Sequence, residues 1–396
     1  MKITKTEIML LQCGSKAPRD NGCRPIIIRI HTDEGIYGDG EAAMLLMSGA
    51  LASCGMLKDL SEMIIGMDPL EHEVIWNKLY RRTYFAQHGG PIMYSAISAI
   101  DMALWDIKGK YYQVPVYKLL GGKFRDEIPC YASQIQSGWG KYLDYDAHAP
   151  EDFRKNAEEA VKEGYKTVKA DFLLSDRDGR WLDPQERMGV LDGRLLDLAE
   201  ERIAAVRDVL GKDGNIIVEG HAYMDVQTGR QIAERFGPYD VLYFEEPCTT
   251  FLDNQKYLRS VMPMPMAGGE RLFTRWQYIP YMQSHAYQLL QPDVGNCGGI
   301  TEIMKIIDLA EVYELGVQLH CVATPVGLAA ALQVEAAMPR FLFHEHTGFQ
   351  QRDFIRRLGK YDLQPENGKF RVPEEPGLGN TLSDYALETC EKYTVE

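Results

Sequence analysis

Four stretches decide the fold: NIIVEGH (residues 215–221), VLYFEE (241–246), PMAGGE (265–270) and YQLLQPD (287–293). Each is a short apolar run that leads into an acid: Glu219, Glu245, Glu270 and Asp293. From Glu219 the chain takes 26 residues to reach Glu245, 25 to Glu270, 23 to Asp293, 27 to His320 and 25 to Glu345. Similar runs at Ile128–Ser133, Thr167–Phe172, Gly316–His320 and Phe341–His346 bring the total to eight. Amphipathic helices lie between them. In Leu196–Leu210, for example, Leu196, Ala199, Ile203, Val206 and Leu210 share one face, and Thr301–Glu314 is another. Strand–helix alternation implies a parallel sheet. Eight units in about 225 residues fit a closed (β/α)8 barrel, with an open doubly wound sheet as the alternative.

Outward from the barrel, residues 1–45 read as antiparallel β, with Thr32-Asp33-Glu34-Gly35 as a turn. Met56 to Lys110 turns helical. Ile97, Ile100, Leu104 and Ile107 form its apolar stripe, and Gly109 stands where a C-cap is expected. Gly38-Asp39-Gly40-Glu41 only faintly matches a dinucleotide fingerprint, because it follows a hairpin turn. The expected division is an α+β domain over 1–125, a barrel over 126–355, and a tail over 356–396 that returns to the first domain. A polar insertion, residues 173–193, separates the second and third barrel runs; one this long is usually functional or interfacial.

The chain has 396 residues, 45% hydrophobic and 25% charged, as expected of a folded globular protein. A formal net charge of −14 argues against bulk binding to nucleic acid or an anionic membrane. Eight scattered cysteines without a C-x-x-C spacing read as reduced thiols. Met1 to Leu11 alternates like a strand and lacks the apolar core of a signal peptide, so the expected location is cytoplasmic. No apolar run reaches the roughly 18 residues needed to span a membrane.

The chemistry sits at the C-terminal ends of the barrel runs, which converge on one mouth. Glu219, Glu245 and Glu270, from three adjacent strands, form a set of hard oxygen ligands suited to one Mg²⁺. Without a cation, such carboxylates repel one another. Any single one of these acids could simply cap the following helix; the regular series argues for a site.

Further motifs complete the picture. They are Asp101-Met102-Ala103-Leu104-Trp105-Asp106-Ile107-Lys108-Gly109-Lys110, the stretch Val114 to Gly122, and Glu245-Glu246-Pro247. Gly268-Gly269-Glu270, Gln291-Pro292-Asp293 and Pro376-Gly377-Leu378-Gly379 follow. With them the chain resembles the enolase superfamily, in its mandelate racemase-like branch. The resemblance implies a modified (β/α)8 TIM barrel under an α+β capping domain built from the N-terminal region and C-terminal tail. It also implies one Mg²⁺ per site, abstraction of a proton next to a carboxylate, and a homo-oligomer.

Residue by residue, Glu219, Glu245 and Glu270 match the metal ligands, although many relatives carry Asp at the first position. His320 and Asp293 match a histidine–aspartate dyad. A carboxylate behind an imidazole fixes its tautomer and raises its basicity, making His320 the expected base. Glu345 matches the acid that hydrogen-bonds the substrate carboxylate. Lys169 matches the first lysine of a K-x-K motif whose second position is here Asp171, so one face of the α-carbon lacks the usual lysine base. His221, two residues past Glu219 and on the same face of its strand, is the expected general acid, with orientation of the metal ligand beside it as the alternative role. Lys16, Arg19, Gln87 and His88 are candidate substrate contacts from the capping region, with Asp171 from the barrel. His344 and His346 alternate with Glu345 and should point away from the mouth.

These assignments lead to a hydro-lyase that converts a sugar acid, an aldonate or aldarate, into a 2-keto-3-deoxy acid. The competing readings are a sugar-acid epimerase or cycloisomerase using the same enediolate, and a binding protein that has lost catalysis.

Overall fold

The computed structural model describes residues 1–11, 23–43, 49–84 and 86–396. Its central sheet holds eight parallel strands: Glu127–Ser133, Thr167–Ala170, Asn215–Glu219, Val241–Glu245, Met266–Gly268, Leu289–Leu290, Gly316–Val317 and His344–Thr347. They pair in chain order from first to seventh, and the eighth lies beside the first. A parallel bridge between Val317 and Phe341 joins the seventh strand to the lead-in of the eighth, so the sheet closes into a barrel. A helix follows each of the first seven strands, and the eighth leads into a 3-10 turn and the single turn Asp353–Arg356.

Strand periodicity explains why the barrel can hold charge inside. Tyr131, Ile217, Tyr243, Ala267 and Leu289 form a small apolar cluster. Two residues further along, on the same inner face, come Ser133, Glu219 and Glu245. The charged mouth therefore rests on an apolar floor. The larger core fills the space between the strands and the outer helices.

The capping region carries a four-stranded antiparallel sheet. Its order is Glu391–Val395, Ile3–Leu10, Ile26–Thr32 and Tyr37–Ala42. The C-terminal strand thus pairs with the N-terminal one. Ile26, Ile28 and Ile30 are fully buried, each contributing roughly 1.5–3 kcal/mol. Three helices, Ala50–Ile64, His72–Arg82 and Pro91–Tyr112, accompany the sheet. Ile97, Ile100, Leu104 and Ile107 are all buried, as the stripe requires.

One expectation is corrected. The long helix does not stop at Gly109; it runs to Tyr112 and ends on Gln113 in the left-handed region. Gly109 is a contact glycine, because a Cβ there would lie 2.6 Å from Gly377 Cα. Gly38 and Gly40 serve the same end, since a Cβ on either would strike the backbone carbonyl oxygen of Ala103 or Ala99.

The tail is tied down by ion pairs and hydrogen bonds. Arg29 grips Asp39 with Nε at 2.7 Å and Nη2 at 2.8 Å, and Thr381 Oγ1 donates to the same carboxylate. Glu41, at the end of the same hairpin, reaches the barrel. It accepts from Thr324 N at 2.9 Å and Gly327 N at 2.8 Å, where the helix Pro325–Ala337 begins. Among the described residues, no helix is long and apolar enough to cross a membrane.

Candidate active site

Lys169, on the second strand, lies at the centre of the mouth. Its Nζ is 2.9 Å from Glu219 Oε2, 2.9 Å from Glu245 Oε1 and 2.8 Å from Glu345 Oε1. All four side chains are 1% exposed. Burial alone would pull the ammonium down; the three carboxylates overcome it and hold Lys169 well above its ordinary value. Burial and then the neighbouring Glu219 push Glu245 well above the usual carboxylate range. Burial would also raise Glu345, but Lys169 and His320 hold it low. Ser133 Oγ and the Cys321 amide donate to Glu345, at 2.7 and 3.0 Å.

Two imidazole–carboxylate pairs flank this floor. Their histidines follow the third and seventh strands, half a turn apart around an eight-stranded ring. His320 Nδ1 is 2.6 Å from Asp293 Oδ2, and its Nε2 is 3.5 Å from Glu270 Oε2. Burial would lower its pKa; Glu270 and then Asp293 outweigh burial and raise it well above the ordinary value. Across the mouth, His221 Nδ1 is 3.3 Å from Asp171 Oδ2, and Gln134 Nε2 is 3.0 Å from His221 Nε2. Against the pull of burial, Glu219 and then Asp171 raise His221 to about 9. His221 and Ala222 both have left-handed backbone, with φ of 50° and 56°. Such conformations cost of order 1–3 kcal/mol and cluster where geometry serves function.

The structure thus brings together Lys169, Glu219, Glu245, Glu345, Glu270, His320, Asp293, His221 and Asp171. Asp171 is fully buried. Its oxygens take Arg187 Nη1 and the Leu173 amide, both at 2.9 Å, besides facing His221. Gln87 and His88 lie exposed on a turn of the capping region. Lys16 and Arg19 fall outside the described residues. His344 and His346 point away from the mouth, to Glu335 and Tyr165 respectively.

Several contributors are additional to the expected set. Ser133 was legible as the inner-face neighbour of Tyr131. Glu246, beside Glu245, is fully buried, receives Arg271 Nε at 2.9 Å, and is driven to about 8 by burial and then Glu270. Gln134 lies on an irregular turn, and Arg187 lies inside the insertion, where no periodicity marks either.

Among the described residues, no three acid, histidine or cysteine side chains stand ready to hold a metal ion in their present positions. The donor set nevertheless suits a hard cation. Carboxylates from the adjacent third and fourth strands and from the eighth surround a single ammonium, and Glu245 Oε2 is buried without a hydrogen-bond partner. An orphaned carboxylate oxygen in a region of excess negative charge fits an added divalent cation.

A closed barrel with acids on successive strand ends, beneath an α+β cap, defines an enolase-type protein. The chain belongs to the mandelate racemase/muconate lactonizing enzyme family. Residues 21–121 match the family's N-terminal domain, and residues 152–386 match the enolase C-terminal domain-like model. It is 31% identical over 372 residues to a D-galactonate dehydratase of Cronobacter sakazakii, covering 91% of this chain and 89% of that protein. Among solved structures, a member of the enolase superfamily from Salmonella Typhimurium superposes with a TM-score of 0.96 at 40% identity, over 100% of both chains. A 3,6-anhydro-D-galactonate cycloisomerase from Zobellia galactanivorans gives a TM-score of 0.81 at 25% identity, over 99% of this chain and 100% of that one.

Proposed function

We propose that this protein is a Mg²⁺-dependent acid-sugar dehydratase that removes water from an aldonate or aldarate to give a 2-keto-3-deoxy acid. The observation that carries this reading is an imidazole–carboxylate pair on each side of the lysine–carboxylate floor, with Asp171 rather than a lysine beside His221. In this scheme residues 126–355 form the catalytic barrel. Residues 1–125 and the tail 356–396 cap it and supply specificity, with Lys16, Arg19, Gln87 and His88 as contact candidates.

Glu219, Glu245 and Glu270 would hold the metal. A bound divalent cation polarises the substrate carboxylate and neutralises the charge that develops on it. Lys169 and Glu345 bind and orient that carboxylate. His320, backed by Asp293, takes the proton from carbon 2, and the C–H pair moves into the enediolate. The enediolate then collapses: the carboxylate is restored and the pair held between carbons 1 and 2 forms a new double bond between carbons 2 and 3 as the carbon 3–oxygen bond breaks. His221 gives its proton to the departing hydroxyl, which leaves as water. The resulting enol tautomerises to the 2-keto acid. The exposed histidines and the dry floor divide the labour: His320 and His221 are 19% and 24% exposed, against 1% for Lys169.

The second reading, an epimerase or cycloisomerase, is favoured by the likeness to the Zobellia galactanivorans enzyme. Racemisation at the α-carbon needs a base on both faces. Asp171, where a lysine base would stand, is bound by Arg187. Although burial opposes it, Arg187 and then His221 lower its pKa, leaving a feeble base. The test is incubation with a panel of aldonic and aldaric acids and Mg²⁺, including D-galactonate. Formation of 2-keto-3-deoxy product, read with semicarbazide, supports the lyase. Deuterium wash-in at carbon 2 with inverted configuration and no keto product replaces it with the isomerase.

A further inference from the structure

The polar insertion delivers one side chain to the mouth. Arg187 ends the one-turn helix Pro184–Arg187, whose other residues are exposed, yet Arg187 itself is 1% exposed. Burying a guanidinium is unfavourable unless a carboxylate meets it. Here that carboxylate is Asp171, with Arg187 Nη1 at 2.9 Å from Oδ2, while Arg187 Nε stays buried without a partner.

The loop around Arg187 is built to be stiff. Ser175 and Trp181 form an antiparallel bridge. Arg180 holds Glu186 through two bonds of 2.8 and 2.9 Å. Buried Arg202, on the following helix, donates to the carbonyl oxygens of Phe172, Ser175 and Asp176, and to that of His148. Asp171 Oδ2 takes both Arg187 and, at 3.3 Å, His221 Nδ1; Oδ1 takes the Leu173 amide. The carboxylate is thereby fixed from two sides and can turn only one lone pair toward the imidazole.

We propose that Arg187 is a positioning residue for His221: by clamping Asp171 it fixes the carboxylate against which the imidazole is aimed. This rests on the reading of His221 as the acid, and it gives the insertion a role in the reaction rather than only at the surface. The test uses Arg187→Gln, with Arg187→Met as a second variant should the first not fold, and Arg187→Lys as the rescue.

Two readouts keep the ideas apart. In a crystal structure of the variant, the Asp171 carboxylate and His221 ring are expected to leave their present contacts; an unmoved ring overturns the proposal. In D₂O, the rate of water elimination is expected to fall about 10–100-fold, the range typical of lost orienting partners. Exchange of the carbon 2 proton, the work of His320, should hold, and Arg187→Lys should recover part of the loss. Equal losses of exchange and elimination would mean a merely structural residue. If the unaltered enzyme eliminates water from no sugar acid, the functional reading fails, and the position of the His221 ring still decides the role of Arg187.

Discussion

The two sides of the mouth carry the same device, an imidazole on a carboxylate, built differently. On the His320 side the contact is 2.6 Å, and among the described residues the other oxygen of Asp293 takes a backbone amide alone, from Gly295 at 2.7 Å. On the His221 side the contact is 3.3 Å, and the same Asp171 oxygen also serves Arg187. A carboxylate spending its charge on one imidazole makes a strong base. One shared with a guanidinium holds the imidazole in place while leaving its proton easier to give. The asymmetry matches a reaction that takes a proton on one side and returns one on the other.

The comparison breaks most visibly at His320. His320→Ala should lower turnover by about 10³–10⁴-fold, near the upper range for general-base catalysis, while the protein still binds Mg²⁺. Carbon 2 exchange in D₂O should vanish with it. Retained exchange would move the base elsewhere and undo the asymmetry. His221→Asn should cost elimination about 10²–10³-fold and leave exchange in place. If both reactions fell together, the two sides would not have separate tasks.

Both sides stand on the floor around Lys169, and Glu245 tests it. Burial and Glu219 raise the Glu245 carboxyl, so the charged form is unfavourable in the metal-free fold. For a group whose folded pKa exceeds its unfolded one, this penalty is absent at low pH and grows as pH rises above the unfolded value. Glu245→Gln should therefore stabilise the metal-free protein at pH 8 by about 1–2 kcal/mol, a size common for single substitutions. It should also remove the Mg²⁺-induced rise in melting temperature. A variant that kept that rise would show that Glu245 is not needed to hold the metal.

Much of this arrangement was legible in the sequence because strand periodicity and barrel convergence are both short-range rules. Glu219, Glu245 and Glu345 sit where period-two alternation and unit length place them, and His344 and His346 turn outward for the same reason. What escaped was set by irregular backbone. Gln134 is in the left-handed region at φ 63°, and Arg187 is presented by a loop whose shape depends on Arg180, Glu186 and Arg202 together. Glu41 was visible only as part of a glycine-rich string. Its reach across to Thr324 requires the cap and barrel to be assembled, which no local pattern encodes. Gly109 reads as a terminator because a glycine required for close backbone approach looks the same in a sequence as one at a helix end.

The smallest effect comes from a histidine that serves as the control for both sides. His346 is buried more completely than either, its neighbour is the Tyr165 hydroxyl, 2.6 Å away, and among the described residues no carboxylate meets its ring. Burial, and then the nearby His344, lowers it to about 3, whereas His221 beside its carboxylates rises to about 9. The sign follows from linkage. The unfolded chain binds a proton at His346 near pH 6.5 and the folded chain does not until about 3, so stability is full above 6.5 and falls as pH drops through that window. The loss is at most about 1.4 kcal/mol per pH unit for one proton. His221 in the metal-free protein acts oppositely: its contribution is complete below 6.5 and is lost as pH rises through about 9. Urea unfolding of metal-free protein at pH 6 and pH 5 reads the first effect. The difference should shrink by about 1 kcal/mol in His346→Gln, which keeps a polar group for Tyr165 but cannot titrate. An unchanged difference would mean that His346 is protonated in the fold, and that burial without a carboxylate does not set the contrast with His221.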